Sequence, residues 1–308
     1  MIKDISEILN FRFANPSGGS GGYASPRWWS GRFPAFFSEY EQLLKSQPAV
    51  YNLFKYVIHV DIGIHINHQV KNNNIFCFSG DLNLLVGFIK QHSGNFENLV
   101  MTGSDEWLSK NFKTLNSIKH RFGKIYYEAK DIECDWVQTI PMGTIMAYMV
   151  RNGGNDILEH INKQKNKTKL VASAFGSKCP QLTGKIKNRS TLKRFIQKND
   201  FIDNMFCNPL KYYKRLCDYR FFLAPIGAGI QTPKICECIM CETIPVVTDH
   251  VAHRELRDIY ELPLLIVNKW ADVSEDFLNK QWDLTYSQVD WNLQKSKFLV
   301  CNFDKLLI

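Results

Sequence analysis

Eight short apolar runs, in two sets of four, constrain this chain more than any other feature. The first set is Tyr56–Ile62, Ile75–Phe78, Leu99–Met101 and Ile125–Tyr127; the second is Leu170–Phe175, Phe221–Ala224, Ile244–Thr248 and Leu264–Val267. Each run is too short for a helix and continuous rather than alternating, the pattern of a strand buried on both faces. Helix-length stretches lie between them: Asp81–Lys90 and Trp107–Arg121, then Thr191–Lys198, Thr232–Glu242, Arg254–Tyr260 and Val273–Lys280. Alternating strands and helices predict parallel sheets covered by helices. A polar stretch, Asn162–Lys169, separates the two sets. The expectation is an α/β protein with two Rossmann-like domains, 1–165 and 166–285, facing a cleft, and a segment 286–308 that packs back across them. Ligands of such sheets gather at the carboxyl ends of strands. Asp81, Asp105 and Glu106 fall there.

Composition narrows the function classes. With 45% apolar and 22% charged residues over 308 positions, disordered, collagen-like and coiled-coil chains are excluded. No run reaches the ~18 apolar residues of a membrane span. The beginning of the sequence reads as polar rather than as an apolar leader. Nine cysteines without a repeated spacing argue against a disulfide framework and for a reducing compartment. A soluble, cytoplasmic protein is the expectation. The net charge is +8, yet His160–Arg220 holds 15 Lys/Arg against three Asp, so the remainder of the chain is slightly acidic. Three readings compete for that basic segment: a solvated face, a nucleic-acid groove, or a phosphate site. Tyr212 and Tyr213 beside Lys214 and Arg215 hint at nucleic acid. No zinc-finger, RNA-recognition or helix-turn-helix pattern supports that hint, so no nucleic-acid partner is expected.

Tyr219–Val247, YRFFLAPIGAGIQTPKICECIMCETIPVV, carries the most chemistry. A buried strand ends in Pro225 and a Gly227-Ala228-Gly229 turn. Thr232 is placed to cap a helix opened by Pro233. Glycines ahead of a helix N-terminus let backbone amides approach a phosphate, and the dipole there favours negative charge. Lys234 adds a point charge in the first turn. Glu237 is a carboxylate on an otherwise apolar helix, suited either to two ribose hydroxyls or to solvent. Thr232 replaces the third glycine of a dinucleotide fingerprint, and no P-loop is present. Cys236, Cys238 and Cys241 read as buried thiols, because on a helix Cys236 points away from the other two.

These residues resemble the C-terminal half of exostosin-like glycosyltransferases over roughly Leu170–Leu278. The matching positions are Gly227, Gly229, Thr232, Lys234, Glu237, Ile244-Pro245-Val246, Leu262-Pro263 and Trp270. The resemblance implies a GT-B fold and an inverting transferase with no tightly bound metal or cofactor. Its donor would be a nucleotide sugar, in particular a UDP-sugar such as UDP-xylose, UDP-glucuronate or UDP-N-acetylglucosamine. It would transfer the sugar to a hydroxyl of a glycan or glycoprotein acceptor. It also implies that Glu237 holds the donor ribose, that Gly227, Gly229, Thr232 and Lys234 surround the diphosphate, and that Arg189 and Arg194 meet it. Two positions depart from the pattern. Lys234 stands where relatives have Arg, removing bidentate phosphate contact. Glu242 stands where relatives have Gly, although Glu adopts the left-handed conformation only at a cost. Members in animals and plants carry an N-terminal Golgi anchor. This sequence points instead to a soluble member of the kind found in bacteria and large DNA viruses, or to a Golgi-lumen enzyme whose anchor has been trimmed.

Inverting transfer needs a base for the acceptor hydroxyl and positive charge for the departing diphosphate. Asp81 and Asp105 lead as the base, with Glu106, Asp61 and His65 behind them. Arg27, Trp28 and Trp29, after the glycine-rich Asn15–Gly22, suit stacking on an acceptor sugar alongside Glu106. The competing function classes are a non-catalytic carbohydrate- or nucleotide-binding module and, further off, a nucleic-acid-binding protein.

Overall fold

The computed structural model describes residues 1–11, 49–59, 63–103, 105–145, 149, 152–163, 166–175, 188–227 and 229–308. Two sheets organise them. The first holds β1 (Tyr56–His59), β2 (Gly63–Ile66), β3 (Ile75–Phe78), β4 (Phe96–Thr102), β5 (Phe122–Tyr127) and β6 (Gln138–Thr139), in the order β2-β1-β3-β4-β5-β6. All its pairings are parallel except β1–β2. The second holds β7 (Lys169–Ser173), β8 (Ile202–Asn204), β9 (Tyr219–Leu223), β10 (Ile244–Thr248) and β11 (Leu265–Val267), all parallel, in the order β11-β10-β9-β7-β8. The chain is therefore mixed α/β with two largely parallel sheets and connecting helices. The helices are α1 (Leu82–Gln91), α2 (Leu108–Ile118), α3 (Leu158–Asn162), α4 (Asn188–Ile196), α5 (Tyr212–Leu216), α6 (Lys234–Met240), α7 (Val251–Asp258), α8 (Glu275–Gln281) and α9 (Trp291–Ser296).

Side-chain alternation along the strands divides the core into layers. Val57, Phe76, Val100 and Tyr126 face one way; Ile58, Ile75, Cys77, Leu99, Met101 and Ile125 face the other, onto α1 and α2. In the second sheet Ala172, Phe222 and Val247 face one way, and Val171, Phe221, Leu223 and Val246 the other. The first group from each sheet belongs to a single continuous apolar cluster, closed by Phe11, Phe54, Phe298 and Phe303. Ring centroids of Phe303 lie 5.6 Å from Phe11 and 5.4 Å from Phe54. Tyr126 donates its hydroxyl to the Ile308 carbonyl at 3.0 Å, and Ile8 bridges Leu299, so the last segment packs against the first.

Several elements differ from the sequence reading. The first strand is described only to His59, since 60–62 lie outside the described residues. Strand β2 is antiparallel and exposed at all four positions, a pattern that gives no buried run to read. The helix expected from Arg254 begins at Val251, because His250 accepts the Ala252 amide through its ring Nδ1. Helix α6 begins at Lys234 rather than at Pro233; the Thr232 carbonyl accepts from Ile235 N at 3.0 Å, and the Thr232 hydroxyl lies 3.5 Å from Lys234 N. Among the described residues, no helix is long and apolar enough to cross a membrane.

Glu242 does adopt the left-handed conformation, at φ 59. Its amide donates to Ile239 O at 3.0 Å and the Thr243 amide to Cys238 O at 2.9 Å, the paired bonds of a Schellman ending to α6. The carboxylate compensates for the backbone cost by pairing with Lys295 at 2.6 Å, which also donates to the Ile161 carbonyl at 2.8 Å. Helix α9 is thereby fastened to both α6 and α3. A left-handed residue with a Cβ costs about 1 kcal/mol or slightly more relative to Gly. With the ion pair removed by Lys295→Met, Glu242→Gly should stabilise the protein by about that amount, read as a rise in the urea midpoint. With Lys295 intact the gain should shrink or reverse.

Candidate functional site at the junction of the two sheets

The order of the second sheet reverses between β7 and β9: the chain leaves β7 for β8 on one side, then returns to β9 on the other. Crevices at the carboxyl ends of such a pair hold ligands in open parallel sheets. Helix α4 begins at Asn188, in the connection after β7, and the Gly227–Gly229 turn follows β9. Asn188 joins the two. Its Oδ1 accepts from Ile226 N at 3.1 Å, its Nδ2 donates to Thr248 Oγ1 at 2.9 Å, and its carbonyl accepts from Trp270 Nε1 at 3.2 Å. Trp270, picked out by sequence only as part of a pattern, thus anchors the start of α4.

Arg189, the next residue, lies along the turn. Its Nε donates to Ile226 O at 3.2 Å, and a Cβ on Gly227 would stand 2.7 Å from its Nη2. A side chain at 227 would have to displace the guanidinium, which occupies the space its Cβ would take. The Gly227 amide donates to Gly229 O at 3.1 Å, closing a tight turn. Sequence and structure bring Arg189, Gly227 and the first turn of α4 together. Arg194 is on the last turn of the same helix, exposed, and about 140° around from Arg189.

Across the junction, the loop after β4 meets this turn. A Cβ on Gly229 would come 3.0 Å from Asp105 Oδ1. Trp107 packs on the small apolar cluster of Ile226, Ile230 and Ala252. Of the candidate bases, Asp105 is the one placed against the second sheet's glycine turn. Asp81 stands at the N-cap of α1 after β3, without a side-chain cap bond. Glu106 turns to Lys110 at 3.3 Å. His65 is exposed on β2, while Asp61, Arg27, Trp28 and Trp29 lie outside the described residues.

Thr232, Lys234 and Glu237 have a more enclosed setting than their sequence positions suggested. Glu237 is 2% exposed, and its Oε2 accepts from Tyr212 Oη at 2.9 Å and from Lys234 Nζ at 3.2 Å. Lys234 also donates to Tyr212 Oη at 2.9 Å and lies 4.2 Å from the centre of that ring. This is a buried, charge-assisted network in which the lysine and carboxylate satisfy each other. The alternative of a solvent-facing Glu237 is therefore overturned: α6 is buried at both Glu237 and the cysteines around it. Burial pushes the Cys236, Cys238 and Cys241 thiols up, so the two cysteines of α6 and the one at its C-cap behave as apolar packing. Among the described residues, no group of three His, Cys, Asp or Glu is placed to hold a metal ion.

Two residues that sequence reasoning passed over sit at the junction. Glu128, 1% exposed, follows β5 and accepts through Oε2 from Thr102 Oγ1 and from Gly103 N, the latter at 2.8 Å. Gln231, next to Thr232, donates from Nε2 to the carbonyls of Glu128 and Ile140 and accepts at Oε1 from Met142 N. The one available signal for Glu128 was a carboxylate directly after the Ile125–Tyr127 run. Farther out, buried Lys130 pairs with Glu255 of α7, and Glu255 also accepts from Thr139 N.

Part of the basic segment is absorbed by the fold, while Lys163, Lys193, Arg194, Lys198, Lys211 and Lys214 remain exposed. Lys167 donates to Cys217 O, Cys241 O and Thr243 Oγ1; Arg220 stacks over Trp282; Lys169 faces Tyr219 and Asp203. No model of a known protein family matches the chain, and comparison with curated proteins finds no match.

Two measurements check this geometry. Gly227→Ala should displace Arg189 from the turn, read as faster hydrogen–deuterium exchange at 188–192 with thermal stability changed little. His253, buried beneath the turn, has its imidazole pushed down to about 4 by desolvation, while Nδ1 meets Thr248 O at 2.8 Å. Its folded value lies below the unfolded ~6.5, so the unfolded chain takes up the proton first and stability falls as pH drops from about 6.5 to 4. Replacing His253 with Asn should flatten that part of a stability–pH curve measured by denaturant melts.

Proposed function

We propose that this chain is an inverting glycosyltransferase of the GT-B type that uses a nucleotide diphosphate sugar, with UDP-sugars as the donor class. The observation that carries the reading is the Arg189–Gly227 apposition at the switch point of one parallel sheet, with Asp105 of the other sheet against Gly229. In this reading Arg189, the first turn of α4 and the turn amides receive the diphosphate. Asp105 takes the proton of the acceptor hydroxyl as its oxygen attacks the anomeric carbon. The carbon–oxygen bond to the diphosphate then breaks, its electron pair leaving on the diphosphate, where the positive groups stabilise it. Asp81 is the second candidate for the base, and Glu106, Arg27, Trp28 and Trp29 are assigned to the acceptor side. Thr232 and Lys234 border the donor site. Glu237 supports it by holding Lys234 and Tyr212 rather than by an open carboxylate. Arg194 contributes long-range positive charge.

A nucleotide-sugar panel tests this, read by thermal shift and by slow donor hydrolysis. A UDP-sugar should raise the melting temperature and be hydrolysed. Arg189→Ala should lose both effects, and Asp105→Asn should keep the stabilisation while turnover falls about a hundredfold or more, within the range of general-base loss. Stabilisation without transfer or hydrolysis would make the chain a binding module. No stabilisation by any nucleoside diphosphate would overturn the proposal.

A further inference from the structure

Glu128 is in contact with both lips of the junction through different atoms. Its side chain grips the exit of β4: Oε2 accepts from Thr102 Oγ1 and from the amide of Gly103. Its main chain grips the second half: the carbonyl accepts from Gln231 Nε2 at 2.8 Å, two residues from Gly229. Its own amide donates to Met101 O at 3.0 Å, which fixes Glu128 to β4 as well. The held residue, Gly103, is constrained to a left-handed φ of 89, and a Cβ there would lie 2.7 Å from the Phe78 ring and 3.1 Å from Phe11 O. Two residues later the chain delivers Asp105 to within reach of the Gly229 turn.

We propose that Glu128 is a positioning residue that sets the placement of Asp105 against the Gly227–Gly229 turn, acting as an acceptor for Thr102 and Gly103. Its catalytic consequence rests on the glycosyltransferase reading; its mechanical consequence does not. The grip requires an acceptor oxygen rather than a negative charge. Gln at this position retains such an oxygen, while Ala leaves the Thr102 hydroxyl and Gly103 amide buried and unmatched.

The test compares Glu128→Gln, Glu128→Ala and Thr102→Val in the full chain, with two readouts. Hydrogen–deuterium exchange at 101–107 and 226–231 should accelerate in Glu128→Ala and Thr102→Val and remain near wild type in Glu128→Gln. In donor hydrolysis, kcat should fall about tenfold in Glu128→Ala and several-fold in Thr102→Val, with KM for the UDP-sugar unchanged and Glu128→Gln within about threefold of wild type. If Glu128→Gln is as impaired as Glu128→Ala, charge rather than acceptor geometry matters and the proposal fails. It fails also if exchange at both segments is unchanged in Thr102→Val, the isosteric variant that tests the grip should Glu128→Ala not fold. A wild-type protein with no turnover on any nucleotide sugar would defeat the glycosyltransferase reading alone, leaving the exchange comparison to decide the role of Glu128.

Discussion

Gln231 carries a primary amide with two N–H groups and a carbonyl oxygen, and both ends of it are engaged on the other sheet's main chain. The two bonds from Nε2 measure 2.8 and 2.7 Å and the one received by Oε1 measures 2.9 Å. A buried amide left unmatched costs about 1–3 kcal/mol, so these three bonds hold the residue in one rotamer and one depth. The remainder of the junction is arranged around that insertion. The Gly227–Gly229 turn precedes it, helix α6 follows it, and the strand ends of β5 and β6 receive it. The Lys130–Glu255 pair and the bond from Tyr260 Oη to Thr139 O, at 2.6 Å, continue the same seam.

This seam explains why Arg189 and Asp105, from different sheets, both come against the glycine turn. Arg189 is directed by Asn188, which is itself held by Ile226, Thr248 and Trp270. Asp105 lies between Gly103, confined by Phe78 and Phe11, and Trp107, packed on Ile226, Ile230 and Ala252. Each lip is rigid by its own hydrogen bonds, and the lips are set against each other by Gln231 and Glu128. The proposed glycosyl transfer, with its departing anion, calls for preorganised charge of this kind.

Much of the fold was legible because buried parallel strands are written as continuous apolar runs. β3, β7, β9, β10 and β11 announce themselves in that way. β2 and β8 do not, since Gly63–Ile66 is exposed throughout and Ile202–Asn204 has one buried residue. The glycine turn and the strand-end acid Asp105 were also readable, as local chemistry; the start of α6 was readable to within one residue. What sequence did not reveal were long-range partnerships. Glu237 gives no local sign that Tyr212 and Lys234 will enclose it, and Gln231 resembles any polar loop residue until its three partners are known. Lys167 is a further case: it counts as surface charge in a composition, yet it is a half-buried donor to three acceptors. Glu242 was flagged as an awkward helix ending, and its remedy, Lys295, lies 53 residues away.

The continuous cluster shared by both sheets has a consequence for synthesis. Phe11 near the start of the sequence stacks with Phe76 and meets Phe303, and Ile8 is bridged to Leu299. Among the described residues, Phe298, Phe303 and Leu306 complete the cluster that holds Phe54, Phe76 and Tyr126, so during translation this packing closes only after the last segment is made. Until then part of the core of the first half lacks its native cover, and exposed apolar surface of that kind is aggregation-prone.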